Sequence, residues 1–332
     1  MRRKHLWGIL VVLTISAFVL YRDLKTTPLA HLAAAADHIQ LAWLIITVLV
    51  MLGSYAAEAG IFATFLGTNA ASRWGFFRIP LIQSLFNAIT PLASGGQPAQ
   101  LAALLQMGIE GGRASSVLLL KFILYQIGVF VAYVLTFCFG FRVVIAKFAG
   151  LAILILLGFV IHLGSIMFLL SIMFAYGLTR RVVKATLQWL TRWVGVKRAE
   201  RWQQSIFAKM ATFYAESQRL RQDKPKLIIA SFLTVVQILC FVSIPYLTLV
   251  TLQQPVAWLP VTLMNIMLMM VIAVVPIPGA SGGAELSFQT LFSSFISSPG
   301  VLVLAMFTWR LVTYFLGIVL GIVGWALKPK NK

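Results

Sequence analysis

Long apolar runs recur along this sequence, and they constrain its fold more than any other feature. The six runs are Leu6–Tyr21, Leu41–Leu66, Ser115–Phe141, Ala149–Tyr176, Leu227–Leu252 and Val301–Leu327. A helix of about 20 apolar residues crosses the hydrocarbon of a bilayer. Hydrophobic residues make up 60% of the chain and charged residues 11%, whereas about 25% of the residues in a soluble domain are charged. The sequence therefore predicts an all-α integral membrane protein, in which residues 1–332 form a single polytopic domain with about six full spans.

The first run, Leu6–Tyr21, follows the basic residues Arg2–Lys4 and so has the charge pattern of a secretory signal peptide. The residues directly after it include Arg22, Asp23 and Lys25, and no small-residue cleavage site follows closely. We therefore expect this run to be an uncleaved first span.

Two further apolar stretches are interrupted by nearly identical segments rich in proline and glycine. One reads Pro91-Leu-Ala-Ser-Gly-Gly96 and the other Pro278-Gly-Ala-Ser-Gly-Gly283, so five of six positions match across 187 residues. The apolar flank on each side is about a dozen residues long, which is too short to span a bilayer alone. We therefore predict two re-entrant helical hairpins, broken at residues 87–98 and 275–285.

The two breaks occupy matching places in two units of the chain, residues 41–141 and residues 227–327. The predicted topology gives these units opposite orientations, which is the inverted-repeat arrangement of many transporters. Substrates of such proteins bind where broken helices meet, because non-helical backbone in a membrane must be buried in protein or line a wet cavity. The half-helix after each break is expected to offer free backbone N–H groups to an anion. The alternative is that both breaks are structural kinks. The candidate binding residues at the breaks are Ser94, Gly95, Gly96, Gln97, Ser281, Gly282 and Gly283.

The net charge of +19 is concentrated in the links between the apolar runs, above all in residues 177–226. This distribution follows the positive-inside rule and argues against nucleic acid as a partner. We therefore predict a multi-pass protein of the cell (plasma) membrane, with the basic link and both termini in the cytoplasm. Trp202, Ile206, Met210 and Phe213 recur at helical spacing in the link, which indicates an amphipathic helix resting on anionic lipid. A dedicated headgroup or partner site in this link is the alternative.

Four ionisable residues lie inside the predicted membrane segments, where a charge is costly and often functional. They are Glu58, Lys121, Glu285 and Arg310. Lys121 and Arg310 lie 27 and 29 residues after the serine of their respective breaks, so each unit has a cation at a similar position. We predict that the two cations hold a lipid phosphate, for which the planar fork of an arginine is well suited. Glu285 and Glu58 could neutralise the cations when that site is empty, or bind a cationic headgroup.

These charges also have structural interpretations. The four residues could form internal ion pairs that only fix helix packing, and the long side chain of Lys121 could reach the membrane interface. Glu58 fits a structural role better than the other three, although it is also a candidate carrier of a coupling ion. His162, inside another apolar run, is expected to be a hydrogen-bonded packing residue rather than a proton relay.

Neither a cofactor nor a metal site is expected. The sequence contains no Walker loop, nucleophile elbow or dinucleotide fingerprint, and Cys138 and Cys240 have no metal-ligand spacing. ATP hydrolysis and a soluble catalytic domain are therefore disfavoured.

The residues around the two breaks resemble the signatures of the lysylphosphatidylglycerol synthase/flippase transmembrane family. Asn87–Pro98, followed by Leu101–Gly108, resembles the first signature. Pro276–Glu285 resembles the second, a Pro-x-Pro-Gly-Gly-x-Gly-x-x-Glu type of run, although Ala280 and Ser281 interrupt its glycines. The resemblance covers essentially the whole chain. It implies a membrane domain that moves lipids between leaflets, and we expect it to stand alone, without the soluble lysyl-transferring domain of two-domain members.

The residues and the resemblance together predict a membrane lipid flippase or transporter that moves an anionic, aminoacylated or glycosylated lipid between leaflets. One alternative is a phosphatidylglycerol lysyltransferase-type enzyme, which transfers lysine from lysyl-tRNA to phosphatidylglycerol and gives resistance to cationic peptides. Another is a membrane scaffold for a lipid-modifying enzyme. The expected partners are membrane lipids, either anionic phospholipid or glycolipid, and in the scaffold case that enzyme.

Overall fold

The computed structural model describes residues 37, 39–147, 149–174, 177, 180–181, 184–186 and 196–327. The predicted first span, Leu6–Tyr21, and the basic residues at both termini lie outside these ranges. Within them the chain is helical and has no β-strand, which confirms the predicted all-α class.

The helices are numbered here in chain order over the described residues. They are α1 Leu41–Leu66, α2 Arg73–Ile89, α3 Gly96–Gln106, α4 Gly111–Lys147, α5 Ala149–Phe174, α6 Val196–Gln222, α7 Lys224–Val242, α8 Ile244–Thr251, α9 Trp258–Ile272, α10 Gly283–Phe292, α11 Pro299–Arg310 and α12 Leu316–Ala326. Two short 3₁₀ turns, Pro91–Ala93 and Pro278–Ala280, lie at the breaks. A π-helical turn, Leu311–Phe315, joins α11 to α12.

Five helical stretches of the described chain are long and apolar enough to cross a membrane. They are Leu41–Leu66, Gly111–Phe139, Leu151–Ser171, Lys224–Thr251 and Pro299–Ala326. The fourth is interrupted at Ser243, two residues before Pro245, where the proline cannot donate a helical hydrogen bond. These stretches confirm five of the six predicted spans, and the sixth lies outside the described residues.

Both breaks begin at a proline and contain left-handed backbone. Thr90 and Ile277, which precede Pro91 and Pro278, are extended, because a following proline disfavours the helical conformation. Left-handed residues then turn the chain, namely Leu92 and Ala93 in the first break and Gly279, Ala280 and Gly282 in the second. The helices on either side of each break have 17 and 11 residues, or 15 and 10, so none is long enough to span alone.

Hydrogen bonds between helix ends show which ends share a face of the molecule. Trp74 Nε1 at the start of α2 donates to Leu327 O just after α12, at 3.0 Å. Arg113 Nη2 at the start of α4 donates to Leu66 O at the end of α1, also at 3.0 Å. The basic helix α6 reaches the same region, where its Phe213 carbonyl oxygen accepts from Ser116 Oγ at 2.6 Å. We call this side the basic face.

The two hairpins enter the molecule from opposite faces. Helix α2 starts at the basic face, and α3 returns to it, where Gln106 contacts Arg78 of α2. On the other face, Gln40 N before α1 donates to Thr251 O at the end of α8, at 2.9 Å. The short link from α8 to α9 therefore starts the second hairpin from that side. This arrangement agrees with the predicted inverted repeats, whose assignment stays a prediction.

Helix packing connects the two predicted units. Their first spans, α1 and α7, pack along each other, and α2 packs along α12 of the other unit, while α9 packs on both α5 and α4. Close approach of α2 and α12 requires small residues on α12. A Cβ at Gly321 would lie 2.5 Å from Leu81 O, and one at Gly317 would overlap Ser84.

Candidate functional site

A buried polar cluster joins five helices beside the first hairpin, and we call it the Glu58 cluster. Its members are Glu58 of α1, Gln83 of α2, Gln100 of α3, Lys121 of α4 and Gln237 of α7. Lys121 Nζ lies 2.5 Å from Glu58 Oε1. Gln100 Nε2 donates to the same oxygen at 2.6 Å and also contacts Gln83 Oε1 at 2.7 Å. Gln237 Nε2 donates to Glu58 Oε2 at 2.7 Å. A single carboxylate thus binds donors from three other helices.

The charged and polar groups of this cluster are buried, so their stability depends on the ion pair and hydrogen bonds between them. Glu58 is 4% exposed, Lys121 2% and Gln100 0%. Charges in such a low-dielectric interior are tolerated when each has a counter-charge and hydrogen bonds. Because Lys121 is buried against Glu58, its ammonium group does not extend to the membrane interface. Gln100 Oε1 and Gln237 Oε1 are buried acceptors without a partner in the described chain, so the cluster can accept hydrogen bonds from a polar ligand group.

Arg310 and Glu285 form a second buried pair at the second break, and with Gly279 and Gly282 they form the Arg310 cluster. Arg310 Nε and Nη2 both lie 2.8 Å from Glu285 Oε1. Arg310 Nη2 also donates to Gly279 O at 3.2 Å. The other carboxylate oxygen, Glu285 Oε2, accepts from Gly282 N at 2.6 Å. The ion pair therefore holds the non-helical backbone of the break from both sides.

Two aromatic rings flank the Arg310 guanidinium. Its central carbon lies 5.2 Å from the Trp309 ring centroid and 4.9 Å from the Tyr314 centroid, distances at which a cation is attracted to an aromatic face. Tyr314 lies in the π-helical turn directly after Arg310, and such turns are frequent at functional sites. The Tyr314 hydroxyl donates to Ala88 O of α2 at 3.4 Å, which connects this cluster to the first hairpin.

One backbone amide at the amino end of α10 has a partner within the helix. Free N–H groups are expected there, and of these the Gly282 N–H is bound by Glu285. A glutamate three residues into a helix reaches back to the cap residue, as in a capping box. Ser281 is buried, and its hydroxyl donates to Pro278 O at 3.2 Å, while Gly283 is half-buried.

The predicted residues of the first break are in a more open setting. Ser94 is exposed, and Gln97 is half-buried. Gly95 N donates to Thr90 Oγ1 at 2.8 Å, so this amide also has a partner. Gly96 is buried, and a Cβ there would overlap the Asn87 side chain, which explains a glycine at this closely packed position.

The structure brings the two breaks together but gives each cation its own carboxylate. The 3₁₀ turns Pro91–Ala93 and Pro278–Ala280 pack against each other. Lys121 is bound to Glu58, whereas Arg310 is bound to Glu285. The two cations therefore do not share a carboxylate, although they lie at similar positions in the sequence.

Several polar residues of the interior were not singled out by the sequence analysis. Gln83 and Gln237 belong to the Glu58 cluster, and no pattern in the sequence marks an isolated glutamine as a partner of a distant carboxylate. Arg78 is completely buried in α2, and the available signal was a lone arginine within an apolar half-helix. His162 Nε2 lies 3.0 Å from Gln126 O, which is the contact expected of a hydrogen-bonded packing residue.

The basic helix α6 docks onto the start of α4. Ser217 Oγ donates to Ser116 Oγ at 3.2 Å, and a Cβ at Gly112 would lie 2.6 Å from Thr212 Cβ. At the following turn, the hydrogen bond from Lys226 lowers the pKa of Asp223, whose carboxylate also caps α7. Phe213 and Ile206 are half-buried, while the side chains of Trp202 and Met210 lie outside the described ones.

The described residues do not bring a set of metal-ligating side chains together. Over these residues there is no group of three or more His, Cys, Asp or Glu side chains placed to bind an ion. The two carboxylates described above are each bound by a cation and by N–H donors.

A helical membrane protein with paired helix breaks and buried ion pairs is the class that this fold and site define. The chain belongs to the family described as the lysylphosphatidylglycerol synthase TM region, whose model matches residues 6–321. A UPF0104 membrane protein of Archaeoglobus fulgidus is 26% identical over 250 residues, which cover 72% of this chain and 72% of that protein. No solved structure matches the chain.

Proposed function

We propose that this protein moves a lipid with an anionic, aminoacylated or glycosylated headgroup between the leaflets of the cell membrane. The observation that carries the proposal is the Arg310 cluster. A buried guanidinium there holds the backbone of one helix break, and that break packs against the other. Broken helices that meet within a membrane are the usual binding sites of transporters.

In the Arg310 cluster, a lipid phosphate would replace the Glu285 carboxylate as the anion bound to Arg310. Glu285 Oε1 occupies the edge of the guanidinium that carries Nε and Nη2, and paired N–H donors of this kind also bind phosphate oxygens. A lipid phosphate that displaced Glu285 would leave the arginine with one counter-charge, so the guanidinium would stay paired. The released carboxylate would then bind an ammonium or hydroxyl group of the same headgroup.

In the Glu58 cluster, a second anionic group of the headgroup would replace Glu58 as the partner of Lys121. Lys121 is the candidate ligand for a second anionic group, and Glu58 is the candidate carrier of a coupling ion. The acceptors Gln100 Oε1 and Gln237 Oε1, which have no partner in the described chain, are suited to headgroup hydroxyls, which donate hydrogen bonds. In this proposal the headgroup passes along the breaks, where Ser94 to Gln97 and Ser281 to Gly283 contact it.

The proposed orientation places the basic face and both chain termini in the cytoplasm. Helix α6, which has Arg219 and Arg221 in its last turn, lies on this face, and positively charged links of membrane proteins are retained on the cytoplasmic side. Accessibility of single cysteines to an impermeant reagent tests the orientation, with Gln218→Cys in α6 compared with Gln253→Cys in the link after α8. Both positions are exposed, so the side of the membrane decides which of them reacts.

The test is lipid translocation in proteoliposomes, with fluorescent anionic, aminoacylated and glycosylated lipids quenched from outside. Wild type is expected to expose inner-leaflet lipid faster than empty vesicles, and Arg310→Ala and Glu285→Gln are expected to abolish the difference. Arg73→Ala, which removes an exposed arginine of the basic face, is the matched control and should transport normally. If no lipid moves faster than in empty vesicles under any imposed gradient, the proposal is wrong.

The family description favours one competing function, lysyl transfer to phosphatidylglycerol. That function predicts lysylated lipid when the same vesicles receive lysyl-tRNA and the purified chain alone. Formation of this product in the absence of translocation would replace the transport proposal with an enzymatic one.

A further inference from the structure

Arg78 of α2 lies outside both clusters and has an incomplete set of partners. Its side chain is 0% exposed. Nε donates to Gly324 O of α12 at 3.0 Å, and Nη2 donates to Gln106 Oε1 at the end of α3 at 3.2 Å. Nη1 is buried and has no hydrogen-bond partner among the described residues. No ion pair between Arg78 and a described carboxylate is present.

This arrangement leaves a buried positive charge without a counter-charge from the described chain. Arg310 and Lys121 each have a carboxylate within 2.8 Å, whereas the described partners of Arg78 are neutral oxygens. A buried charge is stable when it is paired, and an arginine remains protonated in proteins. The unpaired Nη1 therefore points to an anion that this part of the chain does not supply.

An anion would reach the Arg78 side chain from the protein surface at Gln106. Gln106 is exposed, so the residue that contacts Nη2 also lies at the protein surface. Rotation of this flexible side chain would free Nη2, which belongs to the same guanidinium as the unpaired Nη1, while Nε stays bound to Gly324 O. The two terminal nitrogens then form the edge that binds phosphate oxygens in pairs. The uncovered edge lies at the basic face, because Trp74, one turn before Arg78, contacts Leu327 O there.

We propose that Arg78 binds a phosphate anion at the basic face, with Gln106 as its displaceable cover, in a site separate from the two clusters. An anionic lipid headgroup and free phosphate offer the same chemistry. In either case the bound anion would supply the missing counter-charge of Arg78, which connects α2 to α12 through Gly324 O at the base of the first hairpin. The proposal does not depend on transport, because its readout is the stability of the protein.

The experiment measures thermal unfolding in nanodiscs of phosphatidylglycerol and of phosphatidylcholine, and in phosphatidylcholine with added inorganic phosphate. Wild type is expected to unfold at a higher temperature with phosphatidylglycerol, with phosphate, or with both, and the pattern identifies the source of the anion. Gln106→Glu supplies an internal carboxylate to Arg78, so this increment should disappear. Gln106→Ala should retain it. Arg78→Lys, which keeps the charge but loses the fork, should weaken anion binding by roughly tenfold, the ratio for one charge-assisted hydrogen bond.

Arg73→Gln is the control for general surface electrostatics, because Arg73 is exposed on the same helix. The anion should raise the unfolding temperature of Arg73→Gln by as much as it raises that of wild type. The proposal fails if neither anion stabilises wild type, if Gln106→Glu keeps the full increment, or if Arg73→Gln loses as much as Arg78→Lys. Gln106→Glu leaves Arg78 in place, so the test stands even if Arg78→Lys does not fold.

Discussion

The two breaks share five of six residues, yet their charged groups are connected in different ways. At the second break, Glu285 and Arg310 both bind the break itself, through Gly282 N and Gly279 O. At the first, the carboxylate comes from α1 and binds side chains of other helices. The second ion pair therefore fixes the shape of a break, while the first holds helices together around one.

Because of this difference, we expect the stability of the helix assembly and the geometry of the break to depend on different residues. Removing a member of the Glu58 cluster should act mainly on the stability of the helix assembly. Removing a member of the Arg310 cluster should act mainly on the geometry of the break, and so on the proposed transport. Matched substitutions in the two regions distinguish these effects.

The largest effect is expected from Lys121→Met. This change leaves the buried Glu58 carboxylate without its counter-charge, and breaking a buried pair in this way costs about 3–5 kcal/mol. The double variant Glu58→Gln and Lys121→Met removes both charges and should regain a large part of that loss. Reversible unfolding of the purified protein in detergent measures both. If the double variant is no more stable than Lys121→Met, the unpaired Glu58 carboxylate is not the cause of the loss.

An intermediate effect is expected at the position that differs within the two motifs. Gly279 has a φ of +61°, and a Cβ there would overlap the Tyr314 ring, so Gly279→Ala should cost about 1–3 kcal/mol. Its counterpart is Leu92, which is exposed and has a φ of +52°. Leu92→Gly removes left-handed strain but gains flexibility in the unfolded chain, so its effect should stay within about 1 kcal/mol. Equal losses in the two variants would contradict the different packing of the two breaks.

The smallest effect on stability, with a clear effect on transport, is expected from exchanging the two cations. Arg310→Lys keeps the charge but cannot contact Glu285 and Gly279 O with one planar group, so translocation should fall about tenfold. Lys121→Arg is the reciprocal exchange in the Glu58 cluster and should affect translocation less than Arg310→Lys. The assay is the proteoliposome measurement described above. If both exchanges lower translocation equally, the two clusters have the same role.

The sequence predicted the breaks and the membrane spans because both depend on local properties, proline and glycine conformations and apolar length. It also identified Glu58, Lys121, Glu285 and Arg310, because charges inside apolar runs are conspicuous. Which groups these charges contact depends on helix rotation and on contacts between residues far apart in the chain. Gln237 lies 179 residues from Glu58, and nothing local to either residue indicates that hydrogen bond. The uncompensated charge of Arg78 likewise became visible only once the described helices showed no carboxylate beside it.

The glycine contact between α2 and α12 has a mechanical consequence. These helices belong to different predicted units, yet Gly321 and Gly317 bring the backbone of α12 against Leu81 and Ser84 of α2. Motion of one unit as a rigid body against the other would have to separate this contact. A conformational change that keeps this contact would move α2 and α12 together. Two polypeptides obtained by dividing the chain between the units should copurify, because each carries half of this contact.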